Sequence, residues 1–305
     1  MNDVLAPLWS EHVERLRVGI QPVDALGRSG PIGGLGLHLE NVPRPWRIPP
    51  APPGLEPDHI GLPGVRQSPT GRFAIRLDRL DTPSRLVIRI TDPARRYVPR
   101  RLSIPVPGFQ SVVDGDAAHD ADVTVDIVNR ATRPVLYPGA AYGLGAGVTV
   151  VRGGVRWADG APVQWTRVRA TTAAPIDVRH DDGTVTQVSP LLGRAHGDDR
   201  GEFLLVLGPV PRDVTPDGDP DEIEVAVEVL ARPRPPDAAP VDSPAQGRDD
   251  PLWRLPVEVV GELLDVDSVA TGTTTPVGYT SSVTTNITCR KGMATRPAVA
   301  FALPV

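Results

Sequence analysis

Apolar and polar residues alternate with a period of two along most of this chain. Val18 and Ile20 alternate with Arg17 and Gly19; Leu35, Leu37 and Leu39 with Gly36 and His38; Phe73, Ile75 and Leu77 with Ala74 and Arg76; Leu86, Ile88 and Ile90 with Val87 and Arg89. Val123, Val125 and Ile127 continue the pattern. Each run predicts a half-buried strand with one face toward a core. A second series opens at Val148, reverses at Asp159-Gly160, and restarts at Pro162-Val163 in a strand expected to reach Ala170. It resumes through Leu204 and Val206, then Ile223 to Val229, then Leu255, Val257 and Val259, then Val283, Thr285 and Ile287, and ends with Val299, Phe301 and Leu303. One stretch has a different period. Leu5, Leu8, Trp9, His12, Val13 and Leu16 recur at spacings of three and four, which predicts a short helix over 3–16. That helix either covers the end of a sandwich or docks in a partner's groove.

The interruptions divide the chain. Pro43 to Gly64 holds eight prolines, including Pro49-Pro50-Ala51-Pro52-Pro53, and predicts a stiff extended arm with Trp46 available to grip a neighbour. Residues 131–147 read as a linker, 171–200 as a polar insertion, and 231–251, rich in Pro, Asp and Ala, as a flexible insertion. The expected organisation is an N-terminal helix to residue 16, a first β-sandwich over 17–130 and a second over 148–305. The two halves also repeat. Ser68-Pro69-Thr70-Gly71-Arg72-Phe73 matches Asp198-Asp199-Arg200-Gly201-Glu202-Phe203, with Gly two residues before Phe in both. A turn there needs positive φ and the following strand needs a core anchor. The copies lie about 130 residues apart, a spacing that indicates domain duplication and not a solenoid.

Composition narrows the function classes. With 305 residues and 40% hydrophobic content the chain can bury real cores without a disulfide or a metal. Its 36 Pro and 30 Gly predict low helix content. The net charge of −5 argues against a nucleic-acid footprint. No basic N-terminal region or membrane-length apolar run is present, which places the protein in the cytoplasm, as part of a particle that is released later if it assembles into one. The lone Cys289 cannot form an internal disulfide.

Gly154-Val155-Arg156-Trp157-Ala158-Asp159-Gly160-Ala161-Pro162-Val163, followed by Asp199-Arg200-Gly201-Glu202-Phe203, resembles the carboxypeptidase regulatory-like domain. The resemblance covers the first half of the second domain, and the segments 171–195 and 231–251 depart from that family's compact pattern. It implies an all-β fold of two antiparallel β-sandwiches of transthyretin- or immunoglobulin-like type, built as an adhesive or structural module. Two such sandwiches with Pro-rich arms also resemble, in overall style, an accessory protein of a contractile injection system or phage-tail-like particle. The expectation is a non-enzymatic adaptor, present in multiple copies and bound to other protein subunits.

Candidate chemistry is sparse. The six histidines contain no His-x-x-Glu pair of the kind a zinc carboxypeptidase needs. His180 and His196 lie in polar segments and could approach each other, the basis of an alternative reading as a metal-dependent hydrolase. Asp217-Gly218-Asp219-Pro220-Asp221 with Glu228 mimics a calcium loop, but Glu222 stands where Gly is needed. Arg290 and Lys291 beside Cys289 could lower the thiol pKa; with no base nearby, Cys289 reads as a small core or edge residue. Trp46, Trp157 and Trp165, if exposed, would give stacking platforms for a carbohydrate. No catalytic, cofactor or metal residue is assigned. Partner contact is assigned to Leu5, Leu8, Trp9 and Val13 on the helix, to Trp46, and to the cluster Arg95, Arg96, Tyr97, Arg100 and Arg101, where guanidinium groups around one ring suit an acidic protein surface.

Overall fold

The computed structural model describes residues 15–27, 32–40, 64–65, 67–78, 84–124, 130–209, 221–234, 251–261, 267–297 and 301–304. The first half contains β1 (Arg15–Ile20), β2 (Val23–Asp24), β3 (Gly36–Leu39), β4 (Gly64–Val65), β5 (Phe73–Asp78), β6 (Arg85–Thr91), β7 (Arg100–Pro105), helix α1 (Phe109–Ala121), β8 (Ala131–Thr132) and β9 (Val135–Leu136). The second contains β10 (Val150–Trp157), β11 (Arg167–Thr172), β12 (Ile176–Arg179), β13 (Val185–Val188), β14 (Leu191–His196), β15 (Glu202–Val206), β16 (Glu222–Ala231), β17 (Val257–Val259), β18 (Ser281–Arg290), β19 (Ala294–Thr295) and β20 (Phe301–Leu303).

These strands form two β-sandwiches of the same topology. In the first, one layer has the order β4-β3-β6-β7-β17 and faces a layer ordered β5-β1-β8. In the second, β14-β11-β16-β18 faces β15-β10-β19, with β20 also beside β10. Central pairing is antiparallel, while β1–β8, β10–β19 and β10–β20 run parallel. The layers match strand for strand: β4-β3-β6-β7 corresponds to β14-β11-β16-β18, and β5-β1-β8 to β15-β10-β19.

The repeated turn shows why sequence and topology agree. Gly71 and Gly201 both sit at φ 74°, in the left-handed region where a side chain is disfavoured. Ser68 N–H donates to Arg72 O at 2.8 Å, and Asp198 N–H to Glu202 O at 2.9 Å. Ser68 Oγ accepts from Arg72 N at 3.2 Å, and Asp198 Oδ1 accepts from Glu202 N at 2.9 Å. Isolated bridges join Gln67 to Phe73 and Gly197 to Phe203. Each turn delivers its Phe into a core, where both rings are buried.

Two apolar cores result. One gathers Val18, Ile20, Leu37, Phe73, Leu86, Ile88, Leu102 and Ile104; the other gathers Val155, Val168, Phe203, Val225, Val227, Val229 and Leu303. A small third cluster gathers Val98, Trp165 and Leu255.

Several expectations change. No element was expected over 109–121, yet α1 lies there; only Val112 on it is buried, so it carries no apolar stripe for periodicity to reveal. Of the strand expected over Val123, Val125 and Ile127, Val123 lies in a turn and is 80% exposed, and 125–129 fall outside the described residues. The expected linker 131–147 contributes β8 and β9, whose parallel pairing with β1 and β2 makes it part of the first sandwich's framework. The polar segment 171–200 holds the hairpin β12–β13 and the edge strand β14. The strand expected over 163–170 begins at Arg167. The Leu255–Val259 run, expected to extend the second sandwich, crosses back as β17 and pairs parallel with β7. Arg15 and Leu16, taken as the end of a helix, belong to β1, and Gly64, taken as the end of the Pro-rich arm, belongs to β4. The rest of the 3–16 helix, the arm over 43–63 and residues 235–250 lie outside the described residues.

Candidate functional site

The joint between the sandwiches is built on buried charge. Arg100 opens β7 in phase with Leu102 and Ile104, so the period of two aims it at the interior. Its Nε donates to Glu258 Oε1 at 3.1 Å and its Nη2 to Glu258 Oε2 at 2.7 Å. The remaining donors reach Val135 O at 2.9 Å, Ala270 O at 2.6 Å and Val269 O at 2.6 Å. Arg167, which opens β11, donates from Nη2 to Glu258 Oε1 at 2.9 Å. Glu258 thus bridges a guanidinium from each sandwich. Burial alone would raise its pKa, but the adjacent Arg100 and Arg167 outweigh that and hold it below the usual carboxylate range. Trp165 sits at φ 60°, a conformation costing of order 1–3 kcal/mol for such a residue, and is held there by packing and by Tyr279 Oη donating to its carbonyl at 2.6 Å.

A pocket of about 420 Å³ opens beside this joint, over the outer face of β14-β11-β16-β18. Register places its lining in rows. Arg194 lies opposite Arg169, Arg169 opposite Glu228, and Glu228 opposite Thr284. In the next row His196 lies opposite Arg167 and Arg167 opposite Leu230. The wall over these rows is Gly272 to Thr275. Asp267 shapes that wall by accepting from Val269 N at 2.9 Å and Ala270 N at 2.8 Å. His196 is buried with its ring stacked on Tyr137 at 4.0 Å. Burial, reinforced by the nearby Arg167 and Arg100, pushes its pKa well below the ordinary imidazole value, so the ring is neutral at pH 7. Neither ring nitrogen has a hydrogen-bond partner among the described residues, and Arg167 Nε is also unpaired. Arg169 pairs with Glu228, while the Arg194 side chain has no ion pair or hydrogen bond among the described residues.

The residues assigned to partner contact separate. Leu5, Leu8, Trp9, Val13 and Trp46 lie outside the described residues. Arg100 and Tyr97 are interior and serve the fold; Tyr97 Oη donates to Asp24 Oδ2 at 2.9 Å, beside Tyr142 Oη at 2.5 Å. Arg101 and Arg89 both bind Glu40, at 2.5 and 2.7 Å. Arg96 pairs with Asp92 at 3.0 Å. Arg95, at φ 54°, is the exposed member, with its guanidinium 3.8 Å from Asp199. The cluster is therefore not one cationic face, because the strand period and the Asp92 turn send its members in different directions.

The other candidates also move. Trp157 and Trp165 are 7% and 3% exposed, so neither forms a stacking platform. Cys289 is buried, and desolvation raises its pKa, opposite to the lowering that Arg290 and Lys291 suggested. His180 is exposed at the end of the β12–β13 hairpin, 2.8 Å from Thr186 Oγ1, while His196 is interior. Among the described residues no group of three His, Cys, Asp or Glu could hold a metal. Most of the calcium-like loop lies outside the described residues, and its Glu228 is engaged by Arg169. Glu258 was missed because Val257 and Val259 suggested the opposite register. In β17 both valines are exposed and Glu258 is buried. For Arg100 a signal was available, since it shares the parity of Leu102 and Ile104.

No family model matches the chain, and no curated protein matches it. Solved structures with some likeness include those of the shaft pilin spaA from Lactobacillus rhamnosus GG. The pilin aligns over 96% of this chain and 97% of its own at 10% identity, with a TM-score of 0.21. One of its single-residue mutants aligns over 95% and 98% at 9% identity, also with a TM-score of 0.21. So slight a likeness carries no argument about function.

Proposed function

We propose that this protein is a non-catalytic structural subunit bound to other proteins in a multi-copy assembly, of the contractile-injection or phage-tail-like kind, and that it assembles in the cytoplasm. The observation that carries the reading is the hairpin β12–β13. It pairs within itself, Ile176 with Val188 and Arg179 with Val185, and belongs to neither sandwich. All four residues of β13 are exposed, Val185 at 54% and Val188 at 42%. A lone two-stranded hairpin is marginal in water, so one displaying valines on both ends of a strand is suited to completion by another protein. The joint at Glu258 supports the same reading, since it devotes buried ionisable groups to holding two sandwiches in one arrangement.

The test is co-expression with the products of adjacent genes, followed by size separation. The expected result is migration with a large particle, lost in a Val185→Asp, Val188→Asp double variant that remains folded. A monomer in every fraction, or a double variant that assembles normally, would overturn the proposal.

A further inference from the structure

Among the described residues, the outer face of the second sandwich carries one guanidinium more than its carboxylates answer. Glu258 already serves Arg100 and Arg167. Glu228 serves Arg169. Arg194 stands directly opposite Arg169, and like charges at facing positions of an antiparallel pair are destabilising. Among the described residues no carboxylate answers Arg194. A half-buried guanidinium beside a second guanidinium calls for an anion, and a carboxylate suits its planar pair of donors.

The rest of the pocket offers hydrogen bonds in place of charge or stacking. His196 and Arg167 border the space, but both His196 ring nitrogens and Arg167 Nε are covered by protein, so they do not meet a guest there. The hydroxyls of Thr274, Thr275 and Thr284 line the space and make no hydrogen bond among the described residues. The volume, about 420 Å³, lies within the range of small-molecule sites, about 300–1,000 Å³, and far exceeds what a single inorganic anion fills.

We infer that this pocket, formed by Arg194, Arg169, Arg167, His196 and the threonine wall, binds a small polyhydroxylated carboxylate such as a hexuronic acid. The carboxylate pairs with Arg194, and the hydroxyls meet the threonines. The inference does not depend on the assembly reading, because the hairpin β12–β13 is a separate element.

The test uses the full chain and calorimetric titration with sodium glucuronate, with glucose and acetate as comparison ligands. Saturable glucuronate binding is expected, weakened about tenfold or more by Arg194→Gln and at least about tenfold stronger than either comparison ligand, because loss of one charge-assisted pair is worth about that factor. Should Arg194→Gln fold poorly, Thr284→Val carries the same test with a smaller expected loss. Absence of saturable binding, unchanged binding in both variants, or equal binding of acetate or glucose would overturn the inference. So would binding of an acidic peptide in a chain that ignores glucuronate.

Discussion

The two sandwiches treat the same outward row of their sheets differently. In the first, His38, Arg89 and Arg101 face one another across β3, β6 and β7. Glu40 reaches over that row and binds both guanidiniums, and the Arg89 and Glu40 side chains are only 5% and 7% exposed. In the second, the corresponding strands β11, β16 and β18 carry Arg169, Glu228 and Thr284, the edge strand β14 adds Arg194, which is left over, and the row forms the floor of a pocket. The scaffold sets where charges line up; whether a further carboxylate arrives decides between a closed structural cluster and an open recess. Two sandwiches of one topology leave room for that difference, since one keeps its charges satisfied while the other does not.

The comparison breaks most readily at the joint. Glu258→Ala would strand two buried guanidiniums, one from each sandwich, and should cost about 3–5 kcal/mol of stability by urea denaturation. A loss below about 1 kcal/mol would mean that water reaches the cluster and that it behaves as a surface pair. The repeated turns come next. Gly71→Ala and Gly201→Ala should each cost about 1–2 kcal/mol for the left-handed backbone alone. Gly201→Ala should cost more than that, because a Cβ there would meet Val155 O at 2.5 Å. If Gly71→Ala proves neutral, the two turns are not energetically equivalent despite their shared φ.

A smaller effect concerns acid. The folded His196 has a depressed pKa, so the unfolded chain binds the additional proton first. Stability should therefore fall as pH drops from neutral through the ordinary imidazole range, and His196→Gln should flatten that slope in pH-dependent denaturation. A profile equally steep in the variant would assign the dependence to carboxylates such as Glu258. The smallest change is expected from Glu228→Gln. Its partner Arg169 is 53% exposed, so the pair should contribute no more than about 1 kcal/mol in a thermal melt.

Much of the fold was legible because a period of two survives wherever one strand face is buried, as in β1, β5, β6 and β16. The Gly-x-Phe turn was legible because it needs one backbone conformation and one anchor, and both leave a residue signature. What escaped had the opposite character. β17 buries Glu258 and exposes two valines, so a polarity pattern assigns it the wrong face. Helix α1 buries one side chain and has no stripe. The pocket depends on which residues lie opposite each other across β14, β11 and β16, and no local spacing encodes that register. His196 looked like part of a polar turn because its burial comes from Tyr137 and Gly272, both distant in sequence.

The return of β17 to the first sheet has a consequence for how the protein comes into being. When the first sandwich leaves the ribosome it lacks an edge strand, and Arg100 lacks its carboxylate, until residue 258 has been made. An early domain would ordinarily fold while the rest is still being synthesised. Here the emerging half carries an unmatched cation and an open β7 edge through most of translation, which delays its final closure until the second half is nearly complete. Chains halted between residues 150 and 250 should remain protease-sensitive around β7, and a chain extended past β17 should lose that sensitivity.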